Sequence, residues 1–250
     1  MAAMRVLLLG GTSEARVLAA QLVAHGFDVT SSLAGRVTQP RLPAGRVRVG
    51  GFGGVEGLRA ELARYDAVVD ATHPFAAGMT ANAVAACAAE GVPLLLLERP
   101  GWTPDPAWHR VDTPEDAAGR AVELGGRPFV TVGRQALPRF VPGLSHLPVL
   151  ARVVDAPDVA LPAVWELLTT RGPYTLDGEL ALMRRHGTDV LITKDSGGTF
   201  NWPKMRAAAV LGVAVIVVRR PAGPLGVPTV GTVEEALSWL QELDLRRRIT

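Results

Sequence analysis

Apolar residues in this chain gather into short unbroken runs separated by amphipathic stretches. Val6–Leu9, Asp28–Ser32, Arg46–Val49, Ala67–Asp70 and Pro93–Leu97 have the length and composition of strands buried on both faces of a parallel sheet. Between them, Ser13–Ala24 repeats with a helical period and stops at His25-Gly26, and an alanine-rich helix is expected over Ala77–Glu90. The stretch "ERPGWTPDPAWHRVD", with three prolines, breaks this rhythm and reads as a connection between domains. A second series follows, with strands at Pro128–Val132, Val149–Val153, Asp189–Thr193 and Ala214–Val218. Helices are expected over Pro114–Leu124, Asp158–Leu168, Leu176–His186, Pro203–Leu211 and Val233–Leu243. Strands alternating with helices give an α/β chain of two Rossmann-like domains with mainly parallel sheets. The expected boundaries are 1–101 and 102–250, with an active-site cleft between the domains.

Composition narrows the function. The chain has 250 residues, a net charge of +2 and one cysteine, Cys87. A lone cysteine permits no internal disulfide, and the opening "MAAMRVLLLGG" lacks the features of a signal peptide, so a cytoplasmic protein is expected. No segment has the length of a membrane span. Among the basic residues only Lys194 and Lys204 are lysine. Arginine is the better fork for carboxylates and phosphates, so an anionic small molecule is the expected partner. Nucleic acid is not, because few aromatics interleave with the arginines. His109, His146 and His186 have no metal-ligand spacing with other histidines or carboxylates, and no metal site is expected. His25 reads as a helix cap and Cys87 as a small buried residue. No coiled coil or apolar stripe calls for an oligomer, and a monomer is expected.

In open parallel sheets, ligands lie beyond the carboxyl ends of the strands, so the residues after each strand carry the chemistry. The first strand runs into Gly10-Gly11-Thr12-Ser13-Glu14-Ala15-Arg16. Glycines let backbone N–H groups approach a phosphate, and the following helix presents its positive end. A tight turn with an ordinary cap is the plainer alternative. After the second strand come Ser31, Ser32 and Arg36, with no acidic residue to read the ribose hydroxyls of NAD, which favours NADPH. "DATHPFA" holds Asp70 and His73 at the end of the fourth strand, and a histidine there is a candidate acid, base or hydrogen-bond donor. In the second series, "VGRQ" offers Gly133 and Arg134, and "TTRGPYT" offers Arg171 and Gly172. "TKDSGG" offers Lys194, Asp195 and Ser196.

In this order, "GGTSEAR", "DATHPFA", "ERPGW", "VGRQ", "TTRGPYT", and "TKDSGG" followed by "KMRAA" resemble the precorrin-6A reductases of aerobic cobalamin biosynthesis, from Val6 to about Pro221. The resemblance implies NADPH-dependent reduction of one macrocycle double bond, converting precorrin-6A to precorrin-6B, by two Rossmann-like domains. The cobalt-precorrin-6A reductase of the anaerobic branch is the related alternative, and a non-catalytic dinucleotide-sensing module the distant one. On this reading Gly10, Gly11, Thr12, Ser13, Gly133, Arg134, Arg171 and Gly172 contact the cofactor. Arg16, Arg36 and Ser196 orient the tetrapyrrole substrate, while His73, Lys194 and Asp195 are the catalytic candidates.

Overall fold

The computed structural model describes residues 2–35 and 41–249. They form two compact units, one of Met1–Pro100 with Ala222–Thr250, the other of Gly101–Pro221.

The first unit begins with β1 (Arg5–Leu9), α1 (Ser13–Ala24), β2 (Asp28–Leu33), β3 (Arg46–Val49) and α2 (Val55–Leu62). It continues through β4 (Ala67–Asp70), α3 (Ala77–Glu90) and β5 (Leu94–Leu97). Its parallel sheet has the order β3-β2-β1-β4-β5, and a sixth strand, Thr229–Val230, pairs with Leu96–Leu97 at the edge. Because β1 is apolar at every inward position, alternate residues feed two cores. Val6 and Leu8 face α1, while Leu7 and Leu9 face α2 and α3. Thr12 fixes the start of α1, its hydroxyl accepting from the Ala15 N–H at 3.1 Å.

The second unit contains β6 (His109–Val111), α4 (Pro114–Leu124), β7 (Pro128–Thr131), α5 (Val141–Leu144) and β8 (Leu150–Val153). There follow β9 (Glu166–Thr169), α6 (Leu176–His186), β10 (Val190–Lys194), α7 (Trp202–Leu211) and β11 (Ala214–Val218). The order of this sheet is β9-β8-β7-β10-β11-β6, again parallel throughout. Phe129, Leu150, Leu191 and Val217 pack with Met183 of α6 and Met205 of α7 on one face. Helix α4 lies against β10 and β11. Helices α6 and α7 both end at left-handed glycines, Gly187 and Gly212.

Two expectations are corrected. The chain after Pro221 does not stay with the second unit. Its strand β12 (Thr229–Val230) extends the first sheet, and α8 (Val233–Ile249) places Val233, Ala236 and Leu240 in the core beside Leu18 and Leu22 of α1. The expected helix over Asp158–Leu168 is absent: Pro162, which lacks an N–H and would clash with the preceding turn, interrupts it, and Glu166–Thr169 forms the edge strand β9 instead. Among the described residues, no helix is long and apolar enough to cross a membrane.

Candidate functional site

In the first unit the strand order reverses between β1 and β4, the position where doubly wound sheets open a ligand crevice. Gly10-Gly11 lies there. Gly11 has φ +123°, a conformation that a side chain would strain, and a Cβ on it would meet nothing within 4 Å. The Thr12 hydroxyl donates to the Ala71 carbonyl at 2.8 Å while capping α1, so the two central strand tips are tied together. That hydroxyl is committed to the fold, which leaves the backbone N–H groups of the turn as the donors at this strand tip. Ser13 and Arg99 both donate to one oxygen of Glu14, at 3.0 and 2.8 Å. Arg16 is half-buried in the first turn of α1, where the helix dipole disfavours a cation and favours an anion.

At the end of β4 the buried Asp70 carboxylate accepts from the Thr72 N–H, the Thr72 hydroxyl at 2.7 Å and the Thr80 hydroxyl at 2.6 Å. This clamp shapes the loop carrying His73, whose Nδ1 accepts from the Phe75 N–H at 3.2 Å. In the neutral ring the proton therefore sits on Nε2. Across β1 from this loop, at the tips of β2 and β3, Ser32 is paired in register with Arg48, which donates to the Ser32 hydroxyl at 2.9 Å. Arg36 lies outside the described residues.

The corresponding reversal in the second unit falls between β7 and β10. Beyond β7, Gly133 is exposed with φ +82°, and Arg134 is half-buried. The chain then enters a single 3-10 turn, Leu137–Phe140, and the four-residue α5 rather than a long helix. Lys194 ends β10, and burial, with Arg139 nearby, lowers the pKa of its ammonium. The Ser196 N–H donates to the Lys194 carbonyl at 2.7 Å in a tight turn. Asp195 is buried and serves as an anchor: its carboxylate accepts from the Trp102 N–H at 3.0 Å, with the Arg110 and Arg220 guanidiniums 3.8 and 4.0 Å away. The Trp102 indole N–H donates to the Gly198 carbonyl at 2.9 Å, so one tryptophan holds both ends of the loop. A Cβ on Gly101 would come within 2.9 Å of the Asp195 carboxylate.

Beneath these loops lies a buried charge cluster. Arg152 of β8 bonds Glu179 of α6 at 2.5 Å and stacks on the Tyr174 ring, 3.8 Å from its centre. Lys204 of α7 donates to the Thr131 hydroxyl at 3.0 Å, and burial, with the Arg152 charge adding, lowers its pKa to about 7. Arg171 and Gly172 follow the edge strand β9, two strands from β7, and so stand apart from Gly133-Arg134.

The structure thus gathers Gly10, Gly11, Thr12 and Ser13 with the His73 loop in the first unit, and Gly133 and Arg134 with Lys194–Ser196 in the second. Arg48, Arg99, Trp102, Arg110 and Arg220 were missed. The alternation in "RVRV" carried a signal for Arg48, since it sets Arg46 and Arg48 on one face of a strand. Cys87 is buried, which pushes its thiol up to about 11 and keeps it inert. His25 caps its helix through the Gln21 carbonyl at 2.8 Å.

A family model for precorrin-6x reductase CbiJ/CobK matches residues 5–241. The chain belongs to that family. A precorrin-6A reductase of Rhodococcus erythropolis is 49% identical, with 97% of this chain and 99% of the relative covered. A cobalt-precorrin-6A reductase of Priestia megaterium is 32% identical, covering 86% of this chain and 90% of the relative. Among solved structures, "CobK precorrin-6A reductase" superposes with a TM-score of 0.84 at 38% identity, covering 96% of this chain and 97% of that one. Membership of this family makes the protein a reductase and carries the expectation of a nicotinamide cofactor.

Proposed function

We propose that this protein reduces precorrin-6A to precorrin-6B with NADPH in cobalamin biosynthesis. The observation that carries the reading is the Gly10-Gly11 turn feeding the N-terminus of α1 at the β1/β4 reversal, in a chain of this family. The donor set fits a dinucleotide. Gly11 admits close backbone approach, α1 contributes its positive end, and Arg16 adds a cation in the first turn. In the second unit no long helix follows β7, so the diphosphate belongs to the first unit and Arg134 is left for the substrate. Arg134, half-buried with no carboxylate partner among the described residues, suits the acetate and propionate side chains of the macrocycle. Arg171 and Gly172, at the edge of the same sheet, are assigned to that ligand as well.

When bound, the reduced nicotinamide supplies the hydride. The chain supplies position and a proton. His73 presents Nε2–H as a donor, held in orientation by Phe75. Lys194, with its lowered pKa, is a stronger acid than an ordinary lysine and is the second proton source. Asp195 keeps its loop in place through Trp102 and is a positioning residue. Identity to the Rhodococcus relative exceeds that to the cobalt-precorrin-6A reductase, which favours the metal-free substrate.

The test mixes purified protein with precorrin-6A and NADPH under anaerobic conditions and follows both chromophores. Matched loss of NADPH and precorrin-6A supports the reading. Binding of NADPH with no oxidation in the presence of precorrin-6A or its cobalt complex would contradict it and leave a dinucleotide-sensing module.

A further inference from the structure

We infer that Arg48 is the residue that recognises the 2′-phosphate of NADPH and so sets the choice between NADPH and NADH. The inference rests on the dinucleotide reading of the first unit, in which the adenosine ribose lies at the carboxyl end of β2. Three observations converge on Arg48. First, its place: Arg48 is paired in register with Ser32 at that strand end. Second, its charge balance: Arg46, two residues earlier on the same face of β3, is matched by Asp28 at 2.7 Å. Arg48 has only neutral partners among the described residues, namely the Ser32 hydroxyl at 2.9 Å and the Gly50 and Gly51 carbonyls at 3.2 Å. Between Asp28 and Gly51 the sequence holds no other acidic residue.

Third, its orientation. The central carbon of the guanidinium lies over the Phe52 ring, 3.8 Å from its centre. Both Nη1 hydrogens and one on Nη2 are used by Ser32, Gly50 and Gly51. The Nε–H has no hydrogen-bond partner among the described residues, and Nε with Nη2 forms the edge of a guanidinium that takes two oxygens of a phosphate. A half-buried cation held by neutral groups, with its Nε–H unused among the described residues, is a preorganised oxyanion receptor. A ribose hydroxyl gains little from it; a phosphate dianion gains a charge-assisted pair.

Calorimetric titration of the full-length protein with NADPH, NADH, 2′,5′-ADP and 5′-ADP tests the assignment, comparing wild type with Arg48→Gln and Arg48→Lys. The wild type is expected to prefer NADPH to NADH and 2′,5′-ADP to 5′-ADP. Arg48→Gln should lose roughly 10- to 100-fold in affinity for both 2′-phosphorylated ligands, as expected for a charged hydrogen-bonded pair, and leave NADH where it was. Arg48→Lys, which keeps the charge without the fork, should fall between. An Arg48→Gln protein that keeps the NADPH preference overturns the inference while the cofactor reading stands. An equal loss for NADPH and NADH overturns it too, by assigning Arg48 to holding the Gly50-Gly51 turn. A wild type indifferent between NADPH and NADH overturns the NADPH reading itself.

Discussion

The two units share one order over five strands and surround it with different groups. Each has three strands on one side of the reversal and three on the other: β3-β2-β1 then β4-β5-β12, and β9-β8-β7 then β10-β11-β6. In the first, Asp70 is the only buried charged side chain among the described residues, and neutral hydroxyl and N–H donors satisfy it. In the second, Arg152, Glu179, Asp195 and Lys204 are all buried at or under the strand tips. The strand at the reversal also ends differently, β1 in a glycine turn and a twelve-residue capped helix, β7 in Gly133-Arg134, a 3-10 turn and a four-residue helix. A backbone-lined tip suits a phosphate that must approach closely. A tip backed by fixed charge suits a larger anion held by side chains. On the proposed function, strand order places each ligand and the groups beneath the tip choose its kind.

The largest effect expected from this contrast is on stability. Glu179→Ala leaves Arg152 and Lys204 buried without their carboxylate and should cost roughly 3–5 kcal/mol in denaturant unfolding. Asp70→Ala leaves only neutral donors without their acceptor and should cost less, about 1–3 kcal/mol; equal losses would erase the distinction. Next comes Asp195→Asn. It weakens the attraction to Arg110 and Arg220 and loosens Trp102, so kcat/KM for the macrocycle should fall roughly tenfold through misplacement of the loop. NADPH affinity should hold, and a parallel loss of NADPH binding would place the cofactor at this loop instead.

The smallest effect concerns pH. Lys204 titrates near 7 when folded and near 10.5 when unfolded, so between those values the unfolded chain binds more protons. Stability should then rise as pH increases from about 7 towards 10. Lys204→Met, which fills the same buried space without a charge, should flatten that rise in melting curves taken at several pH values. An unchanged slope would mean that Lys204 is not the source.

Much of this was legible in the sequence. The runs at Val6–Leu9, Ala67–Asp70 and Ala214–Val218 could only be buried strands, and Thr12, Thr113 and Thr175 each cap a helix where the pattern begins. The glycine turn and the "TKDSGG" loop stood out because they follow such runs. What failed has physical causes. β12 is two residues long, below any periodicity, so the return of the chain to the first sheet left no trace. The segment from Asp158 to Leu168 has the composition of a helix, and one proline outweighed it. Arg48 and Trp102 act through register and through contacts far along the chain, with Trp102 meeting a residue 93 positions away. Lys194 and Asp195 are adjacent in sequence, yet one ends a strand as a candidate acid and the other anchors a tryptophan.

The assignment of the dinucleotide to the first unit is tested most directly by one pair of variants, Gly11→Ala and Gly133→Ala. Both glycines have positive φ, +123° and +82°, so both substitutions strain the backbone by about 1–3 kcal/mol and should lower thermal stability alike. NADPH affinity, measured by calorimetry on the folded variants, should separate them: Gly11→Ala loses binding and Gly133→Ala keeps it. Binding lost at Gly133 and retained at Gly11 would contradict the assignment and move the cofactor to the second unit.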